Sequence, residues 1–288
     1  MGRSRLYLQK LDSPPATILA HLIAHFPSVS AQIWQERVAK GSVTLDDGSA
    51  LRESDPYQHG ITIHYERENA SEPPSPESET VLYQDSEILV ADKPHGMPVT
   101  PAGDYVERSL LFRLQKSTSL SDLSPIHRLD RETAGLTLFS VNTDSRARYH
   151  ELFAKKTVER EYLAVAHLPD TPGRKHWLVE NRIDAGTPWF VQHIVEGLPN
   201  AKTVIELLEN RGDTGLFRLT PSTGKKHQLR VHMASIGAPI VGDPFYPQVR
   251  EKHEGEPPLQ LLAYRLAFTD PVSGAPRSFA STRQLRRT

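Results

Sequence analysis

At 288 residues, 38% hydrophobic and 24% charged, the chain has the make-up of a soluble globular protein: one large domain, or a large domain with a small companion. A net charge of −1 does not by itself point to nucleic acid, and the absence of cysteine excludes disulfides, thiolate metal ligands and thiol nucleophiles. No apolar run reaches the roughly 18 residues of a membrane span, and the first residues lack the apolar segment of a secretory signal, so a cytoplasmic protein without membrane contact is expected.

The charge is uneven: the first 80 residues carry 7 basic and 11 acidic side chains and the remainder 27 and 24, which permits a basic face on the larger part. "TILAHLIAHFP" (17–27) and "SAQIWQERVAKG" (30–41) predict two short helices, the second with Ser30 as N-cap and Gly41 just past its end. "SVTLDDGSAL" (42–51) and "GITIHYE" (60–66) predict strands, with a turn at Asp47-Gly48. Residues 1–68 therefore read as a small module of two helices and a sheet. "ENASEPPSPESETV" (68–81) is rich in Pro, Ser and Glu and has no apolar periodicity, which predicts a linker over 69–80.

Beyond it, residues 81–288 are dominated by strand signals: "TVLYQD", "ILVADKP", "GLTLFSV", "REYLAVAHL", "AKTVIELLEN", "LFRLTP" and "LLAYRLAFT". Helical patterns intervene at "TDSRARYHELFAKK" and "GKKHQLRVHMASIG", and Gly212 to Gly215 marks a hairpin turn. Adjacent strands with few inserted helices predict an α+β fold on a mainly antiparallel sheet with flanking helices.

Three places carry candidate chemistry. "PIHRLDRETAG" (125–135) crowds His127, Arg128, Asp130, Arg131 and Glu132 against an apolar strand, a costly arrangement if it is buried without partners. Asp130 lies between two arginines that would depress its pKa if close, which suits a carboxylate nucleophile or base; a salt-bridged loop aspartate is the structural reading. The His-Arg-Asp triplet superficially resembles a kinase loop, but the spacing differs and the other kinase elements are missing. In "TGKKHQLRVHMASIG" (223–237), His227, Arg230 and Ala234 share one face of a predicted helix. Lys225, Lys226 and Arg230 suit phosphate, against a solvated basic face as the plainer reading. His227 and His232 stand five apart on different faces, so no metal site is expected. In "VEREYLAVAHL", alternation puts Tyr162 with Ala164 and Ala166, either a stacking surface above small residues or an ordinary core tyrosine.

Taken in order, "HRLDRETAGL", "REYLAV" and "GKKHQLRVH" resemble the three hallmark motifs of the RluA-type RNA pseudouridine synthases. "VADKPHGMPV", "IVGDPFY" and "AYRLAFTDPVSG" are similar to further segments of that family, over about residues 81–279. The resemblance implies a catalytic α+β domain with a mixed, mainly antiparallel sheet and a central cleft that holds RNA, ribosomal or transfer. It implies Asp130 as the catalytic aspartate, Tyr162 packed on the target uracil and Arg230 paired with the aspartate. It also implies Arg128 filling the gap left by the extruded base and Leu229 on the uracil wall; His127, Lys225, Lys226 and His227 are expected as further substrate contacts, although the two lysines stand where that family usually shows Arg-Thr. No cofactor or metal is implied, and a monomer is the default. The N-terminal segment "FPSVSAQIWQERVAKGSVTLDDG" resembles a diverged S4-type RNA-binding module. An RNA-binding protein without catalysis is the rival reading. A carboxylate glycosidase, with Glu132 as second acid, is a further one.

Overall fold

The computed structural model of the protein describes residues 3–26, 29–66, 78–101, 105–171, 173–253 and 255–286. The chain divides into two compact units, Met1–Glu72 and Pro73–Thr288. Residues 67–77, most of the expected linker, lie outside the described residues.

In the first unit, β1 (Arg3–Tyr7) precedes helices α1 (Ile18–His25) and α2 (Ala31–Ala39), and β2 (Val43–Thr44) and β3 (Thr62–Glu66) follow. The strands form an antiparallel sheet in the order β1-β3-β2. β1 is absent from the expectations above, and the strand predicted over 42–51 shrinks to two residues. Local signals explain the rest. Ser30 caps α2 by accepting a hydrogen bond from the Ile33 N–H at 3.4 Å, and Gly41 leaves the helix at φ +70°. Leu22, Trp34, Val43 and Ile63 close a core of their own.

The second unit is built on β4 (Thr80–Gln84), β5 (Ile88–Lys93), α3 (Leu110–Thr118), β6 (Ser124–Pro125), β7 (Ala134–Ser140), α4 (Arg146–Ala154) and β8 (Glu159–His167). β9 (His176–Ala185), β10 (Gln192–Val195), β11 (Ala201–Arg211), β12 (Thr214–Pro221), α5 (Gln228–Ser235), β13 (Leu261–Thr269) and β14 (Pro276–Ala280) complete it. One 11-stranded sheet runs β10-β9-β11-β12-β8-β13-β7-β5-β4, with β14 beside β13 and β6 beside β7. Every described pairing is antiparallel except β13 with β7. This is the mixed α+β architecture that the strand-rich pattern predicts.

β5 and β7 are buried along their whole length because both faces of the sheet are covered there. Alternation sends Ile88, Val90, Leu136 and Leu138 into one core with Tyr149 of α4, and Leu89, Ala91 and Phe139 into another with Leu110 and Leu114 of α3. Gly135 sets the join between β7 and β13. It sits at φ +111°, and a Cβ there would stand 2.3 Å from the Ala263 carbonyl oxygen, so only glycine lets the parallel pair close. The loop that ends at Gly135 is thereby anchored at its C-terminal side.

Two boundaries differ from expectation. Thr80 of the expected linker already belongs to β4. The helix predicted over 224–237 begins at Gln228, because His227 adopts a left-handed backbone at φ +56°. Among the described residues no helix is long and apolar enough to cross a membrane.

Candidate active site

The segment carrying Asp130 is a tight turn, closed by the Thr133 N–H donating to the Asp130 carbonyl at 3.1 Å. Two side chains, one at the end of β5 and one just after it, clamp it. Lys93 donates to the carbonyl of Arg131 at 3.0 Å and to those of Pro94 and Met97 at 3.0 and 2.7 Å. His95 Nδ1 donates to the Glu132 carbonyl at 2.8 Å. Lys93 is fully buried, and burial pulls its pKa down to about 7 against the upward influence of Glu132 and Asp130. Three carbonyls each take one N–H, a demand only the ammonium form meets.

His127, expected to contact RNA, serves the scaffold. Its Nε2 accepts the Leu138 N–H at 3.1 Å, supplying the acceptor that the short strand β6 does not, and its ring stacks on Phe153 at 4.8 Å. Burial pushes its pKa down to about 3, so the ring is neutral with its proton on Nδ1. It still lines the cleft, as do exposed Arg128 and half-buried Asp130.

From the opposite wall come α5 and the loop before it. Gln228 organises that loop: its Oε1 accepts from the Thr223 hydroxyl at 2.8 Å and the Lys225 N–H at 3.1 Å, and its amide donates to Thr203 Oγ1 at 2.9 Å. Arg160 of β8 ties the same loop down through the carbonyls of Pro221 and Thr223. Lys225 and Lys226 stay exposed at the cleft rim, and Leu229 is buried in its wall.

Arg230 is 1% exposed and its main partner is Asp243, not Asp130. Nε and Nη2 donate to the two carboxylate oxygens of Asp243 at 2.8 and 2.5 Å, a fork that also holds the guanidinium against the rings of Phe245 and Tyr246. Its remaining nitrogen, Nη1, points at Asp130 Oδ2 from 3.9 Å. His227 Nε2 stands at the same distance, 3.9 Å, from that oxygen. The Tyr246 hydroxyl accepts the Gln192 N–H at 2.7 Å and meets His227 Nδ1 at 2.9 Å. Burial, with Arg230 and Lys226 adding to it, holds His227 near a pKa of about 3. Nδ1 of the neutral ring therefore accepts from Tyr246, and Nε2 presents its N–H toward Asp130.

Asp130 thus faces two donors at long range, and its carboxylate accepts no hydrogen bond among the described residues. Its side chain keeps 29% of its surface open to the cleft. Burial raises its pKa; Arg230, Lys93 and Lys226 pull the other way and Asp243 adds to the rise. This corrects the expectation from the flanking arginines: Arg131 pairs with Glu132 at 2.8 Å, and the charges that counter burial come from three other segments. Such a carboxylate, when ionised, is poorly solvated and correspondingly reactive. Tyr162 lies across the cleft at the end of the buried Ala164 and Ala166 row. Burial raises its pKa, as does Asp130, while Arg160 opposes, so the ring meets a ligand as a neutral phenol.

The cleft encloses about 1280 Å³, above the roughly 300–1,000 Å³ of a small-molecule pocket. Asp130, Tyr162, Arg230, Leu229, His227 and both lysines converge on it. Lys93, Asp243, Gln228 and Tyr246 were not singled out in the sequence. Lys93 had a signal, a cation directly following the apolar run "ILVA" and Asp92; the other three had none outside the motif strings. Among the described residues no cluster of His, Cys, Asp and Glu could hold a metal.

Comparison with known proteins bears on what this cleft does. Residues 87–235 match the family described as RNA pseudouridylate synthase. An uncharacterised RNA pseudouridine synthase of Synechocystis is 30% identical over 75% of this chain and 74% of its own length. Ribosomal large subunit pseudouridine synthase D of Neisseria meningitidis is 28% identical over 91% of this chain and 73% of its own length. The mitochondrial tRNA pseudouridine(32) synthase of Saccharomyces cerevisiae is 29% identical over 78% of this chain, but the match spans only 49% of that protein. Among solved structures, human RNA pseudouridylate synthase domain containing 1 has the same fold, with a TM-score of 0.61 at 22% identity over 74% of this chain and 86% of that one.

Proposed function

Because the chain belongs to the RNA pseudouridylate synthase family and is an isomerase acting on RNA, we propose that it converts specific uridines of ribosomal RNA to pseudouridine, with Asp130 starting the reaction. The observation that carries this reading is the Asp130 carboxylate itself: half-buried, accepting no hydrogen bond among the described residues, and faced at 3.9 Å by Arg230 and by His227 in a cleft of about 1280 Å³. Binding alone gives no reason to hold an anion among groups that attract phosphate.

In the isomerisation the bond from uracil N1 to ribose C1′ breaks, the base turns, and C5 bonds to C1′. The C5 proton is lost and N1 gains one, so composition and mass are unchanged. A base inside a helical stack offers neither atom, so the uridine is extruded into the cleft, and Arg128 at its rim fills the space left behind. Ionised Asp130 then acts by covalent attack or by removing a ribose proton; deuterium at C2′ slows only the second route. Arg230, fixed by its fork to Asp243, and the His227 N–H stabilise the carboxylate and the charge that passes to the substrate. Tyr162 stacks on the uracil and keeps it while it is detached, and Leu229 bounds the pocket. Lys225 and Lys226 take backbone phosphates.

Ribosomal RNA is favoured over transfer RNA by the reach of the Neisseria alignment, which extends over 91% of the chain and so into the first unit. That unit we read as a diverged S4-like module that adds RNA contacts. Its Arg37 is folded over Trp34 at 5.0 Å, and its acidic excess makes it the weaker binding part. A cytoplasmic, monomeric protein belongs to the same proposal.

The test is a map of pseudouridines in ribosomal and transfer RNA from cells with and without the gene, repeated with purified protein on RNA from the deleted strain. Loss of a ribosomal pseudouridine, restored by wild type and not by Asp130→Asn, is expected. A site lost only from transfer RNA would overturn the substrate; restoration by Asp130→Asn would overturn the role given to Asp130.

A further inference from the structure

The molecule has three tryptophans, and they are placed very differently. Trp34 and Trp177 are 1% and 4% exposed, whereas Trp189 is 80% exposed. Single exposed aromatics are common on protein surfaces, but this one stands in the connection between β9 and β10 and lines the same cleft as Asp130 and Tyr162. The Lys226 ammonium lies 5.7 Å from its ring centroid. Behind it an aromatic series leads inward: Phe190 meets Trp189 edge-on at 5.9 Å, Phe245 lies 5.1 Å from Phe190, and His227 lies 5.8 Å from Phe245. The series ends at the histidine that faces Asp130. Phe190 thus stands nearly perpendicular to the indole and Lys226 sits over the ring, while 80% exposure leaves most of the indole surface open to a ligand.

A flat apolar ring with an adjacent cation is the arrangement that holds a nucleotide without reading its identity: the base stacks on the ring and the phosphate meets the charge. The cleft has room for this, since its volume exceeds what one small ligand fills. We propose that Trp189 and Lys226 form a second nucleotide subsite, which stacks the base of a residue neighbouring the target uridine in the same RNA strand. Nothing in the chemistry described for Asp130 uses Trp189, so the subsite adds affinity and register; it rests on the reading of the cleft as an RNA site.

Intrinsic fluorescence tests it directly, because Trp189 is the one tryptophan that acrylamide can reach. With a short transcript centred on a uridine that the wild type converts, RNA binding should shield the emission from acrylamide. Trp189→Ala, a surface change that spares the fold, should raise the half-saturating RNA concentration roughly 5- to 150-fold. The rate at saturation should hold, and Trp189→Phe should recover most of the affinity. Continued quenching in the presence of RNA that the wild type converts would overturn the subsite alone. So would an unchanged half-saturation in Trp189→Ala, an equal fall in the saturating rate, or a shift in the protein's own oligomeric state in place of RNA affinity. A wild type that converts no RNA would instead remove the proposed function, and the subsite with it.

Discussion

Asp130 is half-buried and Asp270 buried in the same unit, and their surroundings drive them apart. Asp270, at the turn between β13 and β14, accepts from the Tyr149 hydroxyl, from the N–H groups of Val272 and Ser273 at 2.9 and 3.0 Å, and from Arg277 at 3.3 Å. Burial pushes its pKa up, but those bonds outweigh it and the net direction is down. At Asp130 burial also pushes up, no hydrogen bond answers it, and the net direction is up. Burial alone therefore does not tell a structural carboxylate from a reactive one; the completeness of its pairing does. The sign for stability follows. The contribution of Asp270 is present above its unfolded-state pKa and is lost as pH falls through the lower folded value. Asp130 favours the fold only while protonated, and that contribution is lost as pH rises through its raised value, so once ionised its charge is a load on the fold.

The sharpest way to break the contrast is to exchange charge for amide at each position. Asp130→Asn should lower single-turnover pseudouridine formation by about 10⁴-fold or more, while urea midpoints stay level or rise. Asp270→Asn should do the reverse, costing at least about 3 kcal/mol of unfolding free energy from lost charge-assisted bonds while the folded fraction keeps its rate. If both variants lose activity and stability together, the distinction between the two carboxylates is wrong. Asp243 lies between the extremes, because it is buried and paired but holds the arginine that serves Asp130. Asp243→Asn should cost about 3–5 kcal/mol by leaving Arg230 without a counter-charge, and about 10²-fold in rate by releasing its aim. Rescue of stability without rescue of rate, in a buffer strengthened with an excluded osmolyte, would separate the two effects. Tyr162→Phe is milder. The ring still stacks, so about a 10-fold loss is expected, below the roughly 10²–10⁴-fold of a full general acid or base; a loss equal to that of Asp130→Asn would make the hydroxyl indispensable.

The two carboxylates also mark what could be read in advance. Asp130, Tyr162 and Arg230 are legible because each lies in a short polar string against an apolar strand, in an order that resembles a family. Asp243 and Asp270 lie in turns whose partners come from elsewhere in the chain: Arg230 is thirteen residues before one, and Tyr149 is far before the other. His127 shows the opposite failure, a residue that looks chemical and instead completes a strand ladder. The fold was legible where apolar residues run unbroken, as in β5 and β7. β9 escaped because its outer face alternates Glu180, Arg182 and Asp184, charges that pair on the surface with Lys202 and one another and mask the inward row of Trp177, Val179 and Ile183. α3 escaped because only Leu110 and Leu114 of its residues are buried. The flanking arginines misled for a simple reason: adjacency in sequence does not fix where a side chain points, and in this turn Arg131 goes to Glu132.

The smallest expected effect probes Asp130 most gently. Lys226 is exposed and is one of the three cations that oppose burial at that carboxylate. Removing its charge leaves the desolvation less opposed, so the pKa rises further and the acid limb of the rate–pH profile moves to higher pH. At saturating RNA, Lys226→Ala should therefore lose more activity on the acid limb than on the alkaline side. Because the lysine is solvent-exposed, about 1 M salt, with a Debye length near 3 Å, should erase most of the difference between variant and wild type. Lys225 is the control. It is equally exposed and one residue away, yet it is not among the charges that bear most strongly on Asp130, so Lys225→Ala should weaken RNA binding while moving the limb less. An equal shift in both variants would mean that the cleft's general positive potential, rather than placed cations, sets the ionisation of Asp130. The line between Asp130 and Asp270 would then rest on hydrogen bonds alone.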